Sequence, residues 1–308
     1  MSKLLQSLRA GLAVASLAVG LAVAPLAAGA AEISVPHAQG VTVLEKTPEA
    51  VLVFDLAALD TLDTLGVPVK GVPQGVKPDY LKKYDDDAYL KIGSLFEPDL
   101  ETVAAAAPDL IVVGGRSAAK YADLAAIAPT VDMTSDFRAY LDSAEERIRA
   151  LAAIFGKEGE AERRLDALRA SIAAVREKAA DAGTALVVLT TGGRMSAYGP
   201  GSRFGVIHTD FGFKPAAPDL DVATHGQAIS YEFIRETDPD FLFVVDRDAA
   251  VGQHGQAAAA MLDNDIIRQT KAAKSGRIVY LKPDNWYLSG TGLSALQLTV
   301  DEIAAALR

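Results

Sequence analysis

Two segments of the chain share a pattern that ends in an arginine. LETVAAAAPDLIVVGGR (Leu100–Arg116) and YEFIRETDPDFLFVVDR (Tyr231–Arg247) both carry Glu in second place, then Pro-Asp, an apolar run and Arg. This order predicts a short helix, a turn and a buried strand with the arginine at its carboxyl end. A strand that simply reaches solvent is the alternative. Because parallel α/β sheets bind ligands beyond that end, Arg116 and Arg247 are predicted to face a shared cleft.

A third arginine stands in the glycine-rich stretch AYGPGSRFG, residues 197–205. The glycines predict a tight turn, and Ser202 is expected to cap a helix over residues 202–210. Arg203 would then lie in the first turn of that helix, where free backbone N–H groups favour anions. The alternative is a turn with a solvated arginine. A phosphate-binding P-loop is excluded, because no Gly-Lys-Ser/Thr follows at the required spacing.

One histidine and two aromatic residues complete the set of candidate ligand-binding side chains. His225 stands in DVATHGQAIS, a stretch with few apolar residues, and Trp286 and Tyr287 stand in KPDNWYLSGTGL. The second stretch predicts a loop whose aromatic side chains are partly exposed to a ligand. The alternative is that Trp286 and Tyr287 pack against the closing helix. The chain contains no HExxH motif and no Cys/His cluster of the kind that binds zinc.

The rest of the chain predicts two related α/β halves around one helix. Strands alternate with helices over residues 32–156 and again over residues 183–308, which is typical of α/β layers with largely parallel sheets. Residues 157–182 predict a linking helix with one apolar stripe, formed by Leu165, Leu168, Ile172 and Val175. A coiled-coil contact is the alternative use of that stripe. A rigid helix across both lobes would allow little hinge motion.

Residues 1–31 have the pattern of a secretory signal peptide. Lys3 and Arg9 precede an apolar stretch and then small residues, so cleavage is expected near Ala30 or Ala31. An uncleaved membrane anchor is the alternative. The chain has no cysteine, which leaves no disulfide and no acceptor for a lipid anchor. Its formal net charge of −10 disfavours nucleic acid and anionic membranes as partners. The mature protein is therefore expected to be soluble in the periplasm.

Taken together, these motifs resemble a known family. The sequence is similar to the periplasmic siderophore-binding proteins of iron ABC importers, which are class III solute-binding proteins. The similarity lies in the linking helix, the two Glu…Pro-Asp repeats and the motifs GSRFG, HGQ, VVDR and WYLSGTGL. Within that family the sequence resembles the CeuE-like ferric-catecholate (enterobactin-type) group. The resemblance extends over nearly the whole mature chain. It implies two Rossmann-like lobes with central, largely parallel sheets, joined by one long backbone helix.

The resemblance also implies roles for individual residues. Three cleft arginines fall on Arg116, Arg203 and Arg247, and two direct iron ligands fall on His225 and Tyr287. Trp286 and Tyr198 are expected to line the same ligand site. A tetradentate bis-catecholate leaves two positions of octahedral Fe(III) open, which an imidazole and a phenolate can fill. Three guanidinium groups would offset the net negative charge of the complex.

The implied partners are a ferric siderophore and an inner-membrane ABC permease. Glu101 and Glu232, one on each lobe, would dock onto arginines of the permease. The resemblance further implies a monomer with no enzymatic activity and no permanently bound cofactor. The Fe(III)-siderophore would be the transported ligand. A haem or cobalamin carrier of the same fold is the nearest alternative. An exported hydrolase is a distant one, because the chain has no Gly-x-Ser-x-Gly elbow.

Overall fold

The computed structural model describes residues 32–223, 225–253 and 255–308. The predicted signal peptide, residues 1–31, lies outside the described residues. Residues 32–308 form one compact unit. Within the described ranges, no helix combines the length and the apolar character that a membrane span requires.

Strands and helices alternate along the chain, as the sequence predicts. The strands are β1 (Ile33–His37), β2 (Gly40–Leu44), β3 (Val51–Val53), β4 (Gly71–Val72), β5 (Leu90–Lys91), β6 (Leu110–Val113), β7 (Thr130–Asp132), β8 (Thr184–Thr191), β9 (Arg194–Tyr198), β10 (Lys214–Pro215), β11 (Gln227–Ile229), β12 (Phe241–Asp246) and β13 (Ile278–Tyr280). The helices are α1 (Leu56–Thr64), α2 (Leu100–Ala105), α3 (Tyr121–Ala125), α4 (Tyr140–Ile154), α5 (Glu158–Ala179), α6 (Val206–Thr209), α7 (Tyr231–Thr237), α8 (Arg247–Ala250), α9 (Ala258–Leu262), α10 (Lys271–Lys274), α11 (Pro283–Leu288) and α12 (Leu293–Ala306).

The first lobe contains a parallel five-stranded sheet in the order β5-β4-β3-β6-β7. Numbered along the chain within this sheet, the order is 3-2-1-4-5, which is the strand order of Rossmann-like folds. The strands β3 and β6 are buried along their whole length. Such strands read as unbroken apolar runs because helices cover both faces of a parallel sheet. Arg116 follows the end of β6.

The second lobe contains a mixed sheet in the order β11-β9-β8-β12-β13, with β10 beside β8. The strands β8, β12 and β13 are parallel, whereas β9 is antiparallel to both β8 and β11. A two-residue turn at Gly192 and Gly193, both with positive φ, closes the β8–β9 hairpin. The predicted α/β class with two Rossmann-like lobes is confirmed, with the antiparallel β9 as a departure in the second lobe.

The aspartate of each repeated Pro-Asp turn has the same structural role in both lobes. Asp109 accepts hydrogen bonds from the backbone N–H groups of Glu49 and Ala50, just before β3. Asp240 accepts one from the N–H of Thr184, the first residue of β8. In each lobe the carboxylate therefore fixes the start of the neighbouring parallel strand. These backbone hydrogen bonds are also the main reason why the pKa values of Asp109 and Asp240 lie below the usual range.

A stack of helices, rather than α5 alone, joins the two sheets. The four apolar residues predicted for the α5 stripe are buried, and α5 packs against both α4 and α12. Helix α12 also packs against α1, and Asp60 of α1 accepts a hydrogen bond from the backbone N–H of Ala295 in α12. One hydrophobic cluster includes residues of both sheets and of α5. The predicted lobe boundaries at residues 156 and 183 remain predictions within this compact unit.

Candidate functional site

Three arginines from different elements meet around Tyr287. Arg116 follows β6, Arg203 lies in the turn after β9, and Arg247 is the first residue of α8. The Nη2 atoms of Arg116 and Arg203 lie 2.7 Å and 3.0 Å from the carbonyl oxygen of Tyr287. Their guanidinium carbons lie 5.0 Å and 4.4 Å from the centre of the Tyr287 ring. The structure thus brings together the three arginines that the sequence singles out.

The turn that carries Arg203 differs from the sequence prediction. Helix α6 begins only at Val206, and Ser202 does not cap it: its hydroxyl donates a hydrogen bond of 2.6 Å to the carbonyl oxygen of Gly199. A Cβ atom at Gly205 would lie 2.8 Å from the backbone nitrogen of Gly201, so the turn is too compact for a side chain there. Arg203 is therefore placed by a tight turn and not by a helix terminus.

Arg203 is held in an environment that disfavours its own charge. Burial, followed by the nearby charge of Arg116, lowers the pKa of Arg203. Its Nε atom is buried and has no hydrogen-bond partner among the described residues. An anion bound between the arginines would both offset this repulsion and supply hydrogen-bond acceptors.

Opposing effects act on the pKa of Tyr287. Burial raises it, but the interaction of the hydroxyl with Arg247 and the charges of Arg203 and Arg116 together outweigh burial, so the pKa is lowered. The residue lies on helix α11, not on the predicted loop. Asn285 anchors this helix, because its Nδ2 donates to the carbonyl oxygen of Ala295 and to the hydroxyl of Thr299.

Trp286 and Tyr198 are more deeply buried than the sequence suggests. Trp286 is 4% exposed and Tyr198 is 3% exposed. The indole N–H of Trp286 donates to Glu302 of α12, and Tyr198 packs edge-on against Phe204. For Trp286 the alternative stated above holds and partial exposure does not, because α11 turns its side chain towards the closing helix. A ligand would therefore meet little of the surface of either side chain.

Two adjoining cavities share Arg203 and Tyr287. The larger, of about 470 Å³, is also lined by Arg247, His225 and Tyr198. The smaller, of about 100 Å³, is lined by Arg116 and Trp286. Ligand pockets for small molecules usually span about 300–1,000 Å³, so the larger cavity is of a suitable size.

The loop that carries His225 is pressed against Tyr198. His225 itself is exposed and lines the larger cavity. The next residue, Gly226, has φ +69°, and a Cβ atom there would lie 2.8 Å from the Tyr198 ring. Only glycine fits this backbone conformation and this contact. No group of three or more His, Cys, Asp or Glu side chains in the described part of the chain could hold a metal ion.

A carboxylate that sequence reasoning missed supports the site. Asp248 is buried and accepts hydrogen bonds from the N–H of Gly192 at 2.6 Å and from the hydroxyl of Thr191 at 3.0 Å. Nη1 of Arg247 lies 3.4 Å from the same carboxylate and donates to Gln253 at 2.7 Å. Asp248 thus ties the β8–β9 turn to the arginine after β12. The signal in the sequence is Gly-Gly between two strands, which indicates a hairpin.

The two glutamates of the repeat lie on the surface. Glu101 is in the first turn of α2 and Glu232 is in the first turn of α7, and both are exposed. Their positions in the two lobes correspond, as the repeat predicts. Their proposed contact with a permease remains a prediction.

The sequence profile of a family described as periplasmic binding protein matches residues 51–285. The chain belongs to the periplasmic binding protein family. It is 39% identical over 281 residues to the petrobactin-binding protein YclQ of Bacillus subtilis, covering 90% of this chain and 88% of YclQ. It is 32% identical over 277 residues to the ferric-anguibactin-binding protein FatB of Vibrio anguillarum, covering 88% and 86% of the two chains.

Solved structures agree with this membership of the periplasmic binding proteins. The crystal structure of YclQ superposes with a TM-score of 0.88, covering 91% of this chain and 99% of that one. The periplasmic catecholate-siderophore binding protein VctP of Vibrio cholerae gives a TM-score of 0.85 at 35% identity, covering 89% of this chain and 100% of VctP. These relatives are substrate-binding proteins.

Proposed function

We propose that this periplasmic binding protein captures a ferric siderophore of the catecholate type in its cleft and delivers it to an inner-membrane ABC importer. The observation that carries the proposal is the convergence of Arg116, Arg203 and Arg247 on Tyr287, with His225 on the wall of the same cavity. The relatives YclQ, which binds petrobactin, FatB, which binds ferric anguibactin, and VctP, which binds a catecholate siderophore, support a siderophore ligand.

The chemistry of the site fits a ferric bis-catecholate. Four catecholate charges exceed the charge of Fe(III) by one, so the complex is an anion that guanidinium groups stabilise by charge-assisted hydrogen bonds. Tyr287 is proposed to bind the iron as phenolate, which its lowered pKa favours. His225 is proposed to supply the sixth ligand from its exposed loop. Neutral cobalamin would gain little from three arginines.

The protein is further proposed to act in the periplasm. We propose that residues 1–31, which have the pattern of a secretory signal peptide, direct export and are removed. The amino-terminal sequence of protein recovered from the periplasm tests this. A mature chain that begins near Ala31 or Glu32 supports it, and an intact Met1 in the membrane fraction contradicts it.

The test of the ligand uses the single tryptophan of the chain, Trp286. Mature protein is titrated with a ferric bis-catecholate, and both the fluorescence of Trp286 and the visible charge-transfer band are followed. We expect saturable quenching and a band that changes in His225→Ala and in Tyr287→Phe. Tyr280→Phe is the matched control, because Tyr280 is an exposed tyrosine on β13 outside both cavities.

The outcomes separate the parts of the proposal. Quenching with a charge-transfer band unchanged in both variants would leave the arginine cleft as a binding site but remove His225 and Tyr287 as iron ligands. A folded protein that shows no quenching by any ferric catecholate would overturn the proposed ligand class. Titration with haem and cobalamin would then identify the alternative.

A further inference from the structure

A strip of side chains leads from the arginine cluster to the rim of the larger cavity. In the β8–β9 hairpin, Val187 pairs with Tyr198, Leu189 with Ser196 and Thr191 with Arg194. Side chains alternate between the faces of a strand, so Arg194, Ser196 and Tyr198 share one face of β9. All three line the larger cavity with Arg203 and Arg247. Arg194 is thus a fourth arginine directed at the ligand space.

The guanidinium group of Arg194 has no partner within the described part of the protein. Arg203 donates to the carbonyl oxygen of Tyr287 and Arg247 donates to Gln253. The exposed side chain of Arg194, in contrast, makes no hydrogen bond or ion pair with any described residue. No Asp or Glu is among the described residues that line the cavity. A cation that faces a cavity without a counter-charge, in a chain of net charge −10, points to an anion supplied by the ligand.

The backbone of Arg194 lies at the opposite end of β9 from Tyr198 and is held in place. At about 3.4 Å per residue, four residues along β9 place its backbone about 13–14 Å from that of Tyr198. Arg194 therefore reaches the outer part of a ligand whose iron lies near Tyr287. Asp248 holds the adjoining turn through Gly192 and Thr191. The hairpin can therefore present Arg194 at a defined place on the rim.

We infer that Arg194 and the hydroxyl of Ser196 form a second anion subsite, which binds a carboxylate on the linker of the siderophore, outside the coordination sphere of iron. This inference rests on the proposed function and narrows it to catecholate siderophores with an acidic linker. The planar guanidinium group matches a carboxylate with two parallel hydrogen bonds, and the serine hydroxyl can donate a third.

The test compares two ferric complexes that differ by one carboxylate. The probes are the ferric complexes of bis(dihydroxybenzoyl)-lysine and bis(dihydroxybenzoyl)-cadaverine, which have the same linker length. Affinities are measured by quenching of Trp286. We expect the wild-type protein to bind the lysine probe about tenfold more tightly, the gain of one charge-assisted contact.

Two variants assign this preference to the rim. Arg194→Ala should bind the two probes with equal affinity, because the carboxylate of the lysine probe then has no guanidinium partner at the rim. Arg235→Ala removes the same charge from an exposed position on α7, outside both cavities, and should keep the full preference. Thermal unfolding of both variants checks that the fold is retained.

Each other outcome overturns the inference at a different level. Equal binding of the two probes by the wild-type protein, or an undiminished preference in Arg194→Ala, would refute the carboxylate subsite and leave the catecholate site intact. Failure of both probes to bind the wild-type protein would refute the proposed function itself, and the subsite with it.

Discussion

At the scale of single residues, Tyr287 is distinguished by the direction of its pKa shift. Among the described tyrosines with a shifted pKa, it is the one whose pKa is lowered. Burial is the main cause that raises the pKa of the others, namely Tyr80, Tyr84, Tyr140, Tyr198 and Tyr280. Three nearby guanidinium groups account for the contrast, because they stabilise the phenolate.

We expect Tyr287 to ionise below the usual range of a tyrosine as the pH of the ligand-free protein rises. Tyrosinate absorbance should show an early phase that is absent from Tyr287→Phe and moves to higher pH in Arg247→Ala. Because its folded pKa lies below the unfolded value of about 10, this group adds stability as pH rises through the folded pKa. An early phase that persists in Tyr287→Phe would contradict the assignment.

The sequence predicts the individual arginines better than it predicts their surroundings. Arg116 and Arg247 could be found because both end a repeated helix-turn-strand pattern, and the end of a parallel strand has a defined place in the fold. The extent to which Trp286 is buried could not be predicted from the sequence, because it depends on a hydrogen bond to Glu302, which lies in a different helix. Arg194 was missed because its importance depends on the pairing partner of β9.

At the scale of secondary-structure elements, α12 receives its amino-terminal cap from a different helix. Its own N-cap residue, Gly292, has no side chain, and the carboxylate of Asp60 in α1 accepts the N–H of Ala295 at 2.9 Å. Asp60 is 1% exposed. Burial raises its pKa to about 7, against the effect of the backbone hydrogen bonds. The contact holds two helices of the joining stack at the cost of a buried carboxylate.

This carboxylate should make stability depend on pH between about 4 and 7. The folded pKa lies above the unfolded value of about 3.9, so ionisation opposes folding. The contribution of Asp60 to the free energy of unfolding is therefore most favourable below pH about 4. It is lost as the pH rises to about 7, the folded pKa. Urea unfolding of wild type and Asp60→Asn across this range should show a weaker fall in the variant. Parallel profiles would mean that Asp60 does not titrate in this window.

Other elements show where sequence patterns are sufficient. The stripe of α5 was predicted correctly, because a helix of 22 residues contains enough turns to show its period. The predicted helix over 202–210 was wrong in its first half. The three glycines Gly199, Gly201 and Gly205 favour a tight turn there, and only residues 206–209 remain helical.

At the scale of the whole molecule, the internal repeat gives the two lobes matching outer surfaces. Glu101 and Glu232 occupy equivalent first turns of α2 and α7. A permease with two similar halves could contact both lobes through one kind of charge pair. The repeat itself was visible in the sequence. The stack of α1, α4, α5 and α12 was not, because contacts between helices distant in the chain leave no local pattern.

We expect the double variant Glu101→Lys, Glu232→Lys to lose at least about tenfold in stimulation of the importer, since like charges would then face the permease. Affinity for the ferric bis-catecholate should be unchanged, because neither residue lines a cavity. ATP hydrolysis by the reconstituted importer measures the effect. Glu236→Lys, on the exposed surface of α7, is the matched control. Equal stimulation by the double variant and the control would remove the glutamates from the docking surface.

The absence of Asp and Glu from the described wall of the larger cavity has a kinetic consequence. The protein as a whole is acidic, so its exterior repels a negatively charged complex at long range. The guanidinium groups reverse the sign of the field at the mouth of the cleft, where low-dielectric walls concentrate it. An approaching anion is thus guided towards the entrance and away from the rest of the surface. Added salt should slow this encounter far more than it hastens escape, because the Debye length shrinks below the range of the field.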